Sequence, residues 1–542
     1  EAATVWQAIF RPDESLAHSV VRHVRLPRAA VGILAGAGLA VAGALFQTVT
    51  RNPMASTGTL GINAGAYLAV VAATIFAPGI VRAEPLLVAL AGGVAAAVLV
   101  YVIAGGFQVA PVRLALAGVA VSLAIAAMTG ALQLFFENEL AGLFLWGSGS
   151  LIQNDWSGVL YALPRLAVGL LAAIMLARSL DVMLLGDDVA ISLGARVGWI
   201  RFGATLAGVW LAAVTVSVVG PIGFVGLIVP HLIRLLGFQR HWALLPGAAV
   251  WGGVILLGAD VVARMVRSSV TELPAGAVTA LVGAPWLVWL AYRAGAAARG
   301  RVGGLGGGSR ARARTAGTYL LLLGGAAAVL LAAMAAGLAL GGLRIELGQV
   351  WAVLTGGGAD LHQNIIWNLR LPRMLVAATA GAALAAAGLL LQGVVRNPLA
   401  DPSIVGVTSG AGLGAMLLLI AWPHLPVQLV PLAAFAGAFA AFALVYLLAR
   451  RNGLQPIRLA LVGIAVSAFC AALIQIFVVA ANIRVAVALV WLTGSTYARG
   501  WSELLGLLAW PLILLPVAWV FARDLNLLAL GDDVAAGLGL RV

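Results

Sequence analysis

The 542-residue chain contains no lysine; all 32 of its basic residues are arginine. A phosphate-binding loop ending in Gly-Lys-Ser/Thr is therefore excluded, and so is a Schiff-base lysine. If a nucleotide drives this protein, another chain binds it. Cysteine is almost missing: Cys470 stands alone in an apolar stretch. No disulfide can form within the chain, and a thiolate metal site lacks its second ligand. Cys470 reads as a small buried apolar residue. Charge of either sign is scarce, at 9% of residues against 63% hydrophobic, a composition foreign to soluble globular domains.

What fills the chain is a series of apolar runs of about 20 residues, each long enough to span ~30 Å of hydrocarbon. In lipid such runs are helices, because every backbone polar group needs an internal partner. The 67 glycines suit close helix packing where lipid supplies no hydrophobic drive. The fold class is an all-α polytopic membrane protein. Spans are expected near 29–50, 57–77, 86–105, 113–136, 158–178, 199–220, 222–237, 244–266 and 273–293, then 317–341, 374–395, 402–422, 427–449, 457–481 and 503–523.

The net charge of +13 raises nucleic acid as a partner, but the arginines sit in short loops between spans, as positive-inside sorting requires. With 29–50 running inward, Arg51, Arg113, Arg178, Arg196, Arg201, Arg234 and Arg240 fall inside, while Glu137, Glu139 and Asp155 fall outside. Arg22, Arg25, Arg28, Arg264 and Arg267 break the rule on the outer face, and Arg370 and Arg373 repeat the anomaly.

The chain is duplicated. Arg25-Leu26-Pro27-Arg28 returns 345 positions on (370 − 25) as Arg370-Leu371-Pro372-Arg373. In the same register Arg51-Asn52-Pro53 returns as Arg396-Asn397-Pro398, and Leu185-Gly186-Asp187-Asp188-Val189-Ala190 as Leu530-Gly531-Asp532-Asp533-Val534-Ala535. Pro111-Val112-Arg113-Leu114 returns as Pro456-Ile457-Arg458-Leu459. The organisation reads as a first repeat over 1–296, a Gly/Arg-rich cytoplasmic linker over 297–316 and a second repeat over 317–542. The span 317–341 has no first-copy partner, and 198–296 has no second-copy counterpart. The expectation is a piece cut at both ends, with about 15 spans of a chain built from two ten-span bundles.

Arg25 and Arg28 lie three apart, flanking a proline suited to the first turn of a helix. They are expected to project from one side of the helix entrance. A guanidinium fork suits bidentate capture of carboxylates, so the reading is docking of an acidic partner, with snorkelling to headgroups as the alternative. On the inner side, Asp187 or Asp188 can cap a short helix. Val189, Ala190 and Leu193 would share its apolar face, and Gly194 would end it. Such a ridge fits a partner's groove, and an interfacial connector is the alternative. Asn52 and Asn397, each before a proline at the inner end of a span, read as a gate or as an ordinary helix stop. Asp260, four residues before Arg264, reads as one half of a structural pair. Gln47 and Gln392 read as path-lining or interhelical hydrogen-bonding groups. His231 reads as a structural histidine, and the remaining histidines, His241 among them, as scattered in loops. No nucleophile–base pair or metal set is visible.

Together these motifs are identified with the FecCD family of ABC-importer permeases, which carry iron–siderophores, haem or cobalamin. The resemblance rests on Arg25-Leu-Pro-Arg28, Gln47 with Arg51-Asn-Pro53, Gly61, Gly65, Arg113-Leu114 with Gly118, Leu185-Gly-Asp187 through Leu193-Gly194, Phe224-Val-Gly-Leu227 with Pro230-His231 and Arg234, and Glu272-Leu-Pro274 with Gly283-Ala-Pro285. Two fused units resemble the ferric hydroxamate type; haem or cobalamin is the alternative cargo. The resemblance implies docking of a periplasmic or lipid-anchored binding protein at Arg25, Arg28, Arg264, Arg370 and Arg373. It implies coupling to two copies of a cytosolic ATPase through Gly186, Asp187, Asp188, Ala190, Leu193 and Gly194, and through Gly531, Asp532, Asp533, Ala535, Leu538 and Gly539. It implies a gate at Asn52, Met54, Pro111, Val112, Asn397, Leu399, Pro456 and Ile457. ATP and Mg would be bound by the ATPase, with no cofactor, metal or catalytic residue in this chain. The setting implied is the lipid of the bacterial cytoplasmic (inner) membrane, crossed many times. A secondary transporter, also built from repeats, would need midplane acids, whereas here the acids cluster in loops. For an intramembrane enzyme the one weak hint is Gly147-Ser-Gly-Ser150.

Overall fold

The computed structural model describes the chain apart from residues 1, 53–54, 59, 107–110, 137–138, 140–142, 144–145, 266–273, 298–315, 342, 396–400, 404, 423, 451–455, 481–491, 493, 497–498 and 541–542. The described residues are helices and connecting turns. The principal ones in the first repeat are α1 (Ala2–Phe10), α2 (Leu26–Val49), α3 (Ile62–Phe76), α4 (Pro85–Ala104), α5 (Pro111–Phe135), α6 (Ser157–Met183), α7 (Asp187–Ser192), α8 (Val197–Val219), α9 (Val225–Leu235), α10 (His241–Met265) and α11 (Ala275–Ala297). Then follow α12 (Ala316–Ala339), α13 (Leu347–Leu354), α14 (Leu371–Val395), α15 (Val407–Ala421), α16 (Val430–Ala449), α17 (Pro456–Ala480), α18 (Trp501–Val520) and α19 (Asp532–Gly537). Ten helices among the described residues are long and apolar enough to cross a membrane, and five shorter apolar ones accompany them. Every expected span coincides with one of these helices.

The start of α2 departs from expectation. Pro27 does not begin the helix. Helical backbone runs unbroken from Leu16 to Val49, and a π-turn over Val21–Arg25 carries it into the proline. The same device precedes α14, over Asn364–Arg370. The wider i→i+5 turn lets a chain lacking one N–H continue instead of stopping.

Packing divides the chain into two compact units. One comprises Glu1–Ala291, Gly406–Leu448 and Leu461–Thr493; the other Tyr292–Val405, Ala449–Ala460 and Gly494–Val542. The units cross the boundary between the sequence repeats, because part of the second copy packs with the first. Inside the first unit Ala465 of α17 meets Leu227, Ile228 and Ala284, and Ile476 meets Ala259, Ala263 and Val278.

At the centre of the first unit lies α2, buried over most of its length. Its composition explains that position. Glycine and alanine make its surface smooth, so neighbouring backbones come within van der Waals reach. A Cβ on Gly43 would overlap the Gly226 carbonyl of α9, and one on Gly36 would overlap Gly252 of α10. The α3–α4 hairpin crosses the same way at Gly65 and Gly92, and α15–α16 repeats it at Gly410 and Gly437. The bulk is supplied by Phe46, Leu39 and Leu45, all fully buried.

Gly43→Ala forces the α2 and α9 backbones apart and is expected to destabilise the chain by about 2 kcal/mol, read as a lowered unfolding temperature in detergent. The equivalent Gly388 faces open space. Gly388→Ala is expected to be neutral or slightly stabilising, and equal losses at the two sites would refute the packing argument.

Candidate functional site

The arginine motif at the outer end of α2 splits into two roles. Arg25 is exposed, but Arg28 is buried, 6% accessible. The two do not project together, and Arg28 is corrected from a docking group to an internal strut. Its guanidinium grips Asp260 of α10, with Nε 2.9 Å from Oδ1 and Nη2 2.6 Å from Oδ1. Arg264 adds Nε at 3.1 Å from Oδ2 of the same carboxylate. The expected Asp260–Arg264 pair is present, but its principal partner lies 232 residues away in sequence. A carboxylate at 0% exposure is tolerated because both oxygens are answered by charge.

In the second copy the roles are exchanged. Arg370 is half-buried and donates to the carbonyls of Leu338 and Leu343, while Arg373 is exposed and donates from Nε to Thr496 Oγ1 at 3.3 Å. Arg25, Arg373 and Arg264 thus present guanidinium groups at their surfaces. Close to the first arginine turn lies Asp155. Hydrogen bonds from the Ser157 hydroxyl (2.5 Å) and amide (2.8 Å) fix its carboxyl. They hold its pKa below the ordinary carboxylate value, the hydroxyl bond contributing most.

The inner end is organised by Asp187. Neither aspartate caps α7; the cap is Gly186, at φ 106 and ψ 154, with no side-chain bond. Asp187 is instead the keystone of an ion cluster. Its Oδ1 lies 2.6 Å from Arg51 Nη2 at the end of α2, and its Oδ2 lies 2.8 Å from Arg201 Nη2 of α8. Arg51 takes φ 48 to do so, a left-handed geometry unusual for a side-chain-bearing residue. A second tie runs deeper. His241, expected in a loop, is fully buried at the start of α10. Its Nδ1 lies 2.6 Å from Asp181 Oδ1 of α6, and its Nε2 lies 2.7 Å from Thr48 Oγ1 of α2. Gln47 beside it donates to the Leu227 carbonyl at 3.1 Å and accepts from Arg234. It serves as an interhelical clasp, 3% exposed.

The face of α7 also differs from expectation. Ala190 is completely buried, whereas Val189, Ile191 and Leu193 are exposed together with Leu184 and Leu185. The small residue seats the helix, and the large ones face outward. The second copy repeats this: Ala535 is buried, Val534 and Leu538 are exposed, and Gly531 caps α19 at φ 112 and ψ 154. Ala190 and Ala535 are therefore seating residues, not partner contacts. Asp188 is exposed, and Gly194 and Gly539 end their helices at φ 83 and 88. Beside α7 a hollow of about 600 Å³ opens between Ile191, Ala195, Arg196, Trp199 and Phe202.

Of the expected gate residues, Asn52 donates its backbone N–H to the Gln47 carbonyl at 3.2 Å and accepts from the Ala55 amide at 3.0 Å, closing the turn after α2. Met54, Asn397 and Leu399 lie outside the described residues. Pro111 and Val112 open α5, and Pro456 and Ile457 open α17; their side chains, like those of Asp532 and Asp533, lie outside the description.

Sequence reasoning missed Arg51, Arg201, Asp181 and Thr48 as tethers. One usable signal lies in the sequence: Arg51 and Arg201 both fall on the inner face, as does the acidic loop at Asp187-Asp188.

The FecCD transport family matches residues 1–293 and 329–542. The chain is 35% identical over 536 residues to the iron(3+)-hydroxamate import system permease protein FhuB of Salmonella typhimurium, covering 98% of this chain and 76% of that protein. It is 34% identical to FhuB of Escherichia coli K12, covering 98% and 79%. The Fe(3+) dicitrate transport system permease protein FecD of Escherichia coli K12 is 41% identical over 292 residues, which is 53% of this chain and 90% of that protein.

Asp260→Asn removes the charge from a buried carboxylate that answers two arginines. It is expected to destabilise the chain by about 3–5 kcal/mol, measured by thermal unfolding. Joint replacement by Arg28→Met and Asp260→Leu should recover most of that loss. An Asp260→Asn protein that melts like wild type would show that the pair is not structural.

Proposed function

The chain belongs to the FecCD transport family, and we propose on that footing that it is the fused two-repeat permease of a binding-protein-dependent ABC importer, carrying iron(3+)-hydroxamate across the bacterial cytoplasmic membrane. The observation that carries the reading is the doubled inner helix. Each copy presents a short helix seated on a buried alanine with aliphatic side chains turned outward, and in the first copy Asp187 bolts it to α2. A surface offered twice suits two ATPase subunits.

The work divides accordingly. A loaded binding protein, bearing acidic patches, docks on the outer guanidinium groups of Arg25, Arg373 and Arg264. The ATPase subunits bind ATP and Mg and grip the ridges around Val189, Leu193, Val534 and Leu538. Movement of α7 reaches the end of α2 through Asp187–Arg51, and movement of α6 reaches it through Asp181–His241–Thr48. The turn carrying Asn52, directly after Arg51, then shifts with the end of α2. The chain itself performs no hydrolysis. Asp260 is engaged by two arginines, so it is not placed to serve as the ion-coupling acid of a secondary transporter.

The test is uptake of a ⁵⁵Fe-labelled hydroxamate siderophore by cells lacking their own permease but supplied with this chain, its ATPase and its binding protein. Uptake should vanish when the ATPase cannot hydrolyse ATP; uptake that persists would sink the reading. Arg25→Glu with Arg373→Glu should weaken binding-protein docking by about tenfold or more through like-charge repulsion, with assembly intact. Asp187→Asn should lower iron transported per ATP consumed, because an amide cannot hold two guanidinium groups. An unchanged ratio would show that the tether does not transmit.

A further inference from the structure

The π-turns ahead of the two arginine motifs leave one carbonyl each without a donor from the chain's own ladder. At the first, the Leu26 N–H goes to Val21 O, not to Arg22 O. The next possible donor, at i+5, is Pro27, which has no N–H. The Arg22 carbonyl is answered instead by the indole of Trp156, Nε1 to O 2.9 Å. At the second, the Leu371 N–H goes to Ile366 O, the i+5 position is Pro372, and the Trp367 carbonyl is answered by Trp501 Nε1 at 2.8 Å. Trp156 and Trp501 stand in the 345-residue register (501 − 156), as do Arg22 and Trp367 (367 − 22). Both copies make the same repair with the same atom.

The turns bearing these tryptophans are themselves pinned by carboxylates. Asp155 accepts from the Ser157 amide and hydroxyl. In the second copy the equivalent of Asp155 is Gly500, and Glu503 takes over by accepting from the Gly500 amide at 2.8 Å and Ser502 Oγ at 3.0 Å. The anchoring residue has changed while the tryptophan bond has stayed. Each tryptophan sits at the start of a helix, α6 or α18, that leads inward toward the coupling loop of its own repeat.

We propose that Trp156 and Trp501 are positioning residues. Their indole N–H groups hold the outer arginine turns in register and join each docking turn to the helix that leads to its coupling loop. The link to docking rests on the importer reading above; the hydrogen-bond repair rests on geometry alone. Trp156→Phe with Trp501→Phe keeps an aromatic ring and deletes the donor. Hydrogen exchange of the chain in lipid nanodiscs should then quicken about tenfold at amides 21–26 and 364–371, the effect of one lost hydrogen bond. Adding Pro27→Ala and Pro372→Ala restores an N–H at i+5 and should reverse the change, which a space-filling role for the ring would not allow. In the wild-type chain the two indole protons should themselves exchange slowly, a readout that needs no variant. Fast indole exchange, unaltered amides in the Phe variant, or no rescue by alanine would each overturn the proposal. With the ATPase and binding protein present, the Phe variant should raise the half-saturating binding-protein concentration about tenfold. An unmoved half-saturation would also overturn it. Absence of uptake by the wild-type chain would refute the importer reading and leave the exchange measurement to decide the latch.

Discussion

Hydrocarbon offers no water to a polar group that lacks a partner, so each one must find its partner within the protein. That constraint shapes the molecule most visibly around α2. An arginine at its outer end, a threonine and a glutamine at its inner end and Arg51 just beyond it are each matched by a group from outside the helix. Asp260 of α10 answers Arg28, His241 answers Thr48, and Asp187 answers Arg51. Between these ends the helix is smooth and nearly featureless, packed backbone to backbone against α9 and α10.

This distribution has an energetic logic. Between helices in lipid, shape complementarity supplies cohesion and polar contacts supply specificity. The glycine crossings bring the backbones into contact, and the ion pairs tie the helices at their ends. Arg28–Asp260 fixes the α2–α10 register near the outer face, and Thr48–His241 fixes it again near the inner face. A helix pinned at both ends transmits displacement along its axis, which a transporter driven from its cytosolic side requires.

The architecture was largely legible in the sequence. Apolar runs fixed the spans, the 345-residue register revealed the duplication, and the glycine-flanked Asp-Asp loop announced a short helix in each copy. What stayed hidden depends on partners distant in sequence. Arg28 looked like the twin of Arg25 because spacing says nothing about an aspartate 232 residues away. Ala190 looked like part of an outward ridge because a six-residue helix has too few positions to tell its seated face from its exposed one. Pro27 looked like a helix start because a π-turn leaves no mark in composition.

The hairpin of α3 and α4 crosses at Gly65 and Gly92, and that of α15 and α16 crosses at Gly410 and Gly437, with the backbones touching. Two rods meshed so tightly can neither roll nor slip past one another without a clash. Each hairpin is therefore cargo rather than hinge in any conformational cycle. The bending has to be borne at seams lined by larger, more forgiving side chains.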